Sequence, residues 1–235
     1  MQKLLFPLSM IAVLSIAFVA LAKGPGGGGS GSTTLDAPEE IHLKFMRAEE
    51  KLARDVYYTL GQKYPDLAVF SNILESEKSH QDIMVEKLEQ YELPDPIWDD
   101  SIPDSIGLFV ADDYAWYFDL KFHALTNLDD ATEEDDKLLQ ALKNGALIEE
   151  LDIHDIEECP TVLVETEGFA EDGCGLVYTD EQSLIDSYKN LLEGSKDHLR
   201  AFVRTIESLF PDAYDDGTYD AQYLDQKVVD KILRR

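Results

Sequence analysis

The chain has 235 residues, of which 48 are Asp or Glu and 20 are Lys or Arg, so its formal net charge at pH 7 is −28. A surface of this sign repels nucleic acid and anionic membranes and concentrates cations, which excludes the nucleic-acid-binding classes of protein. With 44% hydrophobic residues, the chain is long enough to bury the core of one ample domain.

The first 22 residues predict a secretory signal peptide. Lys3 precedes an apolar run over residues 4–21, and the small residues Ala20 and Ala22 predict cleavage after Ala22. The alternative is a retained membrane anchor, because the run is close to the lower length limit of a transmembrane helix. We therefore expect a periplasmic or secreted protein with no stable membrane insertion after cleavage. Residues 23–34 are rich in Gly and Ser and predict a flexible tether.

Four long segments follow in which apolar residues recur at helical spacing. Their expected limits are about 37–60, 71–91, 132–158 and 179–210. Asp36 and Glu39 predict a capping box at the start of the first helix, Ser71 and Thr179 are candidate caps of the second and fourth, and Pro211 ends the fourth.

The connections complete an all-α prediction: a four-helix bundle with an extra short helix and a loop insertion. The short helix is expected over residues 108–125, between helices two and three, and the insertion lies between helices three and four. Within that insertion, residues 161–164 and 176–178 could pair as a small hairpin. Cys159 and Cys174 also lie there, and export favours a disulfide between them. The predicted divisions are a signal peptide over 1–22, a tether over 23–34, a bundle over 35–210 and an acidic extension over 211–235.

The second long helix carries a carboxylate and an imidazole on its apolar stripe. Glu77 and His80 are one helical turn apart within the stripe that spans residues 73–91. An ionised carboxylate without a partner in an apolar interior costs several kcal/mol, so Glu77 must be paired, protonated or bound to a metal. Pairing across to Lys51 or Arg54 is the alternative to a metal.

The other three long helices carry matching polar groups on their apolar faces. Glu50 interrupts the stripe of the first helix, with Glu49 on a neighbouring stripe, and His198 lies at the centre of the fourth helix's apolar face. The third helix offers Glu150 and Glu149 on adjacent stripes, and both remain candidates. A single inward histidine is also compatible with a hydrogen-bonded core residue, so the metal hypothesis depends on all four helices sharing this pattern.

Carboxylates from different helices together with Glu and His one turn apart are what a di-metal carboxylate site in a helical bundle requires. An oxygen-rich set with one imidazole per metal suits iron or manganese better than structural zinc. The predicted ligands are Glu50, Glu77, His80, Glu150 and His198. Possible additional participants are Glu49, Glu149, Glu157, Tyr57 and Ser195.

Several segments resemble known proteins. Glu50 with Ala53 and Tyr57, and Glu77 with His80, resemble the ferritin-like superfamily. The strings at 49–57, 145–153 and 190–202 are similar to an uncharacterised ferritin-like family of bacteria and archaea, a domain of unknown function. The resemblance implies a ferritin-like four-helix bundle with an iron site, di-iron or mono-iron, or a manganese site.

One position departs from the wider ferritin-like pattern. Ser195 stands where a second Glu would precede His198 by one turn. A hydroxyl is a poor ligand for iron, so a second metal must either take another carboxylate, such as Glu149 or Glu157, or bind weakly. Tyr57, on the face of Glu50, is either a hydrogen-bond donor to a ligand carboxylate or a core aromatic residue.

Two classes of function follow from these observations. The first is an exported metalloprotein whose iron reacts with dioxygen or peroxide, as an oxidase, a peroxidase or a ferroxidase. The second is a secreted acidic protein that binds divalent metal ions or partners and uses the bundle as a scaffold without redox chemistry.

Overall fold

A computed structural model describes residues 34–97, 104–109, 113–128, 133–214 and 217–234. The predicted signal peptide and all but the last residue of the predicted tether lie outside these residues. Within the described part of the chain, no helix is both long and apolar enough to cross a membrane.

The described residues form seven α-helices and no β-strand. The helices are α1 (Ala37–Lys63), α2 (Ala68–Gln90), α3 (Ala115–Thr126), α4 (Glu134–Glu157), α5 (Thr161–Glu167), α6 (Gln182–Leu209) and α7 (Gln226–Leu233). The expected hairpin is wrong, because its first half is the helix α5. Its second half instead donates backbone hydrogen bonds to the end of α4, from Leu176 N to Ile156 O and from Val177 N to Glu157 O.

The ends of the helices follow local capping chemistry. At the start of α1, the Asp36 carboxylate accepts from Glu39 N at 3.2 Å, and the Glu39 carboxylate accepts from Asp36 N at 3.0 Å, which is the predicted capping box. The sequence predicts that α2 begins at Ser71, but the helix begins three residues earlier, at Ala68. Ser71 therefore lies inside the first turn, where its hydroxyl donates to Ala68 O. At α6 the cap is Glu181, and Thr179 instead donates to the Glu39 carboxylate at 2.7 Å.

The four long helices contact one another in a ring, with α1 against α2 and α4, and α6 against α2 and α4, while α3 lies against α1 and α7 against α6. Their apolar stripes meet inside this ring. The packing of α4 against α6 is close, because a Cβ added to Gly145 of α4 would lie 2.5 Å from the ring of Phe202 on α6. A larger residue at 145 would push the two helices apart, and with them the polar groups they carry.

The connection from α4 to α6 and the C-terminal residues both pack onto this helical core. Cys159 and Cys174 stand at disulfide distance, with Cα atoms 4.9 Å apart. Residues 217–234, predicted as an extension, bury Tyr219 and Val229 completely. The guanidinium of Arg200 on α6 donates to Ile232 O at 2.9 Å, which fixes α7 against α6.

Candidate metal centre

Four long helices bring three carboxylates and two imidazoles together at one place in the core. Two clusters with the spacing of metal ligands result, one of Glu50, Glu77 and His80 and the other of Glu77, Glu149 and His198. Glu77 belongs to both. Because α2 supplies Glu77 and His80 one turn apart, the two side chains lie on the same face of that helix.

The carboxylate of Glu77 lies between the two imidazoles, with one oxygen directed to each. Its Oε2 is 3.0 Å from Nδ1 of His80, and its Oε1 is 2.8 Å from Nδ1 of His198. Each imidazole has a second carboxylate neighbour: Glu50 Oε2 lies 3.3 Å from His80 Nδ1, and Glu149 Oε2 lies 3.4 Å from His198 Nδ1. The arrangement is therefore two similar half-sites that share one carboxylate.

The centre is buried, and its oxygens are short of partners. Glu50, Glu77 and Glu149 are fully buried, and His80 and His198 are 5% and 8% exposed. Both oxygens of Glu50, Oε1 of Glu77 and Oε2 of Glu149 accept no well-aligned hydrogen bond, although three of them lie 2.8–3.4 Å from an imidazole Nδ1. Three buried carboxylates with only two imidazoles as neighbours are costly. A divalent cation in each half-site would offset that cost, so the residues present fit a pair of metal ions.

Proton affinities in the centre reflect burial opposed by close charges. Burial raises the pKa of Glu50 to about 7, although the nearby His80 acts in the opposite direction. Burial acts the same way on Glu77, but its contacts with His198 and His80 outweigh burial and hold its pKa well below the usual range. Although burial lowers the pKa of both imidazoles, the adjacent carboxylates raise it to about 11 for His80 and about 10 for His198. Without a metal, both imidazoles hold a proton at neutral pH.

The comparisons with known proteins concern this same region of the chain. Residues 39–235 match the family described as "Uncharacterized protein domain (DUF2202)". The chain belongs to this family. It is similar to the uncharacterized protein MJ0754 of Methanocaldococcus jannaschii, with 36% identity over 195 residues that cover 83% of this chain and 86% of that protein.

A solved structure supports the fold. The crystal structure of the hypothetical protein MJ0754 from Methanococcus jannaschii aligns with a TM-score of 0.66 and 33% identity, over 88% of this chain and 98% of that one. The family region contains every residue of the two half-sites and also the C-terminal residues that pack onto α4 and α6. Those C-terminal residues are therefore part of the family's common unit.

Adjacent glutamates of α4 have different surroundings. Glu149 faces the centre, where the hydroxyl of Tyr57 donates to its Oε1 at 2.5 Å. Glu150, which we placed among the ligands, is in neither half-site, because neighbouring positions on a helix point about 100° apart. Its carboxylate instead accepts from Tyr219 OH at 2.7 Å and from three consecutive backbone N–H groups at residues 222–224.

Three other candidates also lie outside the half-sites. Ser195 is buried, and its hydroxyl donates to Leu191 O at 3.1 Å. Glu157 is half-buried near the end of α4. The carboxyl group of Glu49 interacts with Asp155 rather than with the two imidazoles. The carboxylate that joins Glu77 beside His198 is thus Glu149 and not Glu157, the other residue expected to take the place of a Glu at position 195.

The basic residues that could have neutralised Glu77 are occupied elsewhere. Lys51 forms ion pairs with Asp55 and, at 3.1 Å, with Asp104. Arg54 forms ion pairs with the same two aspartates. A pairing of Glu77 with Lys51 or Arg54 is therefore not present in this structure, and its near neighbours are the two imidazoles.

Two residues at the centre were missed from the sequence. Asp152 lies one turn after Glu149 on α4, and its spacing of three from that glutamate could have identified it. Gly194 of α6 lies against the imidazole of His80, and a Cβ added there would be 2.5 Å from Nε2. A small residue in the middle of a long helix is a weak signal, because it does not say which neighbour needs the space.

Proposed function

We propose that this protein is an exported metalloprotein with a ferritin-like four-helix bundle, and that its core binds two iron or manganese ions that support oxidase, peroxidase or ferroxidase chemistry. The observation that carries the proposal is the position of Glu77, whose two carboxylate oxygens face two different histidines. A carboxylate in that position would serve as a ligand in both half-sites.

The donor set supports the choice of metal. Each half-site offers carboxylate oxygens and one imidazole nitrogen, a combination that suits iron or manganese, whereas no thiolate is present in either cluster. When bound, such ions supply electron-transfer steps with dioxygen or peroxide that protein side chains cannot supply by themselves.

The chain's own residues position the donors and exclude water. Tyr57 donates to one oxygen of Glu149 and leaves the other oxygen, Oε2, directed to His198. Such a hydrogen bond fixes the orientation of a ligand carboxylate. Loading with a cation requires His80 and His198 to lose the protons on the ring nitrogens that face the carboxylates, so binding releases protons.

The alternative function is binding without redox chemistry. The net charge of −28 favours it, because an acidic surface concentrates cations whatever happens at the centre. In that case the protein is a secreted cation-binding or interaction protein, and dioxygen and peroxide are not its partners.

Anaerobic titration with Fe²⁺, followed by addition of air, tests both functions. The proposal expects about two ions per chain in the unmodified protein, strong loss of both in Glu77→Gln, and retention of both in the control Glu157→Gln, which lies outside the half-sites. Oxygen uptake by the loaded protein should exceed that of free Fe²⁺ at the same pH. Tight binding without faster oxygen uptake supports the alternative, and equal metal content in Glu77→Gln and unmodified protein refutes the assigned centre.

A further inference from the structure

A half-open cavity between α6 and α7 is lined by positive charge, although the chain as a whole is strongly acidic. Its volume is about 380 Å³, and its wall consists of Asp197, Arg200, Arg204, Leu233 and Arg234. The chain contains six arginines, and three of them meet at this one cavity. Like charges that are held close together repel one another, and an anion between them removes that repulsion.

The three arginines reach the cavity from two helices. Arg200 and Arg204 are four residues apart on α6, so their side chains lie on the same face of that helix, one turn apart. Arg234 directly follows the last residue of α7 and has a left-handed backbone conformation, with φ at 58°. Nε of Arg200 donates to Ile232 O at 2.9 Å, which holds the end of α7 against α6. The packing of the two helices therefore brings Arg234 to the arginines of α6.

The acceptors at this cavity engage only one of the three arginines. Among the described residues that line it, Asp197 is the one acid, and its carboxylate forms an ion pair with Nη1 of Arg200. Within the described part of the chain, the guanidinium groups of Arg204 and Arg234 have no hydrogen bond and no ion pair. Each guanidinium carries five N–H donors, so two full sets of charged donors are available to a ligand.

We propose that this cavity binds an oxyanion of the phosphate class, either the free anion or the phosphate group of a small organic molecule. The planar guanidinium matches two oxygens of such a group at once, and arginines of two helices can hold it from different sides. Nucleic acid and anionic membranes carry the same group, but the acidic remainder of the surface repels extended polyanions. A small anion inside the cavity is repelled less, because salt screens distant charges. The site shares no donor with the metal centre and does not depend on the proposed function.

Calorimetric titration of the full chain with inorganic phosphate, at low ionic strength, tests the proposal. The protein is used metal-free, so that phosphate cannot bind to a metal ion, and we expect saturable binding. Arg204→Gln and Arg234→Gln should each weaken binding by about tenfold or more, because each removes charged donors. Arg204→Lys should recover only part of the affinity, since an ammonium group cannot make the two parallel contacts of a guanidinium. Asp197→Asn should strengthen binding, because it removes a negative charge from the cavity wall and releases Arg200.

Lys189→Gln is the matched control, because Lys189 is an exposed cation of the same helix that does not line the cavity. This variant should bind phosphate as the unmodified protein does. Equal weakening in Lys189→Gln and Arg204→Gln would mean that phosphate responds only to overall charge, and it would overturn the site. The site is also overturned if binding does not saturate.

A second probe, glycerol phosphate, distinguishes the two sources of the anion. Tighter binding of inorganic phosphate indicates a site for the free anion, and tighter binding of glycerol phosphate indicates that the cavity also holds the organic part of a ligand. The competing explanation is that the arginines only stabilise the C-terminal end of α7, where cations are favourable. In that case Arg234→Gln lowers Tm in phosphate-free buffer and leaves the affinity for both probes unchanged, which would refute the proposal.

Discussion

Glu149→Gln should weaken metal binding and leave the stability of the metal-free protein nearly unchanged. Glu150→Gln should lower the stability and leave metal binding unchanged. The two residues are adjacent on α4 and both are fully buried, so the substitutions remove the same charge from equally buried positions. They differ in what the carboxylate contacts. Glu149 lies beside His198 in a half-site, and Glu150 holds the C-terminal residues against α4.

The expected loss of stability in Glu150→Gln follows from its contacts. The carboxylate accepts from Tyr219 OH at 2.7 Å and from the backbone N–H groups of residues 222, 223 and 224 at 2.7–3.0 Å. A glutamine can direct its oxygen to the three N–H groups and its amide to the Tyr219 oxygen, so the partners remain. Hydrogen bonds to a charged acceptor exceed neutral ones by about 1 kcal/mol each, so three of them predict a loss of about 3 kcal/mol.

The expected effect of Glu149→Gln is on the metal. Burial raises the pKa of Glu149, although His198 and Tyr57 act in the opposite direction, and Glu77 stays 2.8 Å from Nδ1 of His198 when Glu149 is neutralised. We therefore expect the free energy of unfolding of the metal-free protein to change by less than about 1 kcal/mol. The half-site at His198 loses a carboxylate ligand. Metal binding there should weaken by about 100-fold or more, since even changes to groups behind a ligand cost 10-fold to 100-fold.

Thermal unfolding with and without Mn²⁺, together with metal content, measures both effects. A loss of about 3 kcal/mol in Glu150→Gln lowers Tm by roughly 6–12 °C in a protein of this size, with metal content unchanged. Glu149→Gln should keep its metal-free Tm and bind about one ion per chain fewer than the unmodified protein. Loss of metal in Glu150→Gln with normal content in Glu149→Gln would refute the assignment of these two side chains.

Four further predictions concern the surroundings of the centre and the connection from α4 to α6. Gly194→Ala should displace the imidazole of His80, because the added Cβ would lie 2.5 Å from Nε2. The variant should bind Mn²⁺ more weakly while α6 stays folded. Equal Mn²⁺ affinity in the variant and the unmodified protein would contradict this contact. The pKa values of His80 and His198 are raised from 6.5 to about 11 and about 10. Metal affinity should therefore rise with pH between about 6 and 9, because binding displaces protons from the imidazoles. Calorimetry in buffers of different ionisation enthalpy can count the protons that are released. For the same reason, the stability that protonated imidazoles add to the metal-free protein is fully present below about pH 6.5 and is lost as pH rises through about 10–11. Reducing a Cys159–Cys174 disulfide, which spans 15 residues, should cost about 3 kcal/mol, and two thiols that react with an alkylating reagent in the unreduced protein would show that the bond is absent.

Features that depend on local spacing were predictable from the sequence. The capping box of Asp36 and Glu39 needs only residues three apart, and the structure contains both of its hydrogen bonds. The same periodicity placed Glu77, His80, Glu50 and His198 on the inward faces of their helices, where they are buried. The sequence by itself thus determined the all-helical class and the polar groups that each long helix directs into the core.

Features that depend on contacts between distant segments were decided by the tertiary structure. Glu149 and Glu150 lie on adjacent stripes of α4, and only the docking of residues 217–224 against one side of α4 shows which of them is held away from the centre. The expected hairpin does not form, and the backbone N–H groups of Leu176 and Val177 instead donate to carbonyl oxygens at the end of α4. A helical repeat specifies which face a side chain occupies, but the neighbour of that face depends on how separate helices pack, and this information is not contained in the spacing of one segment.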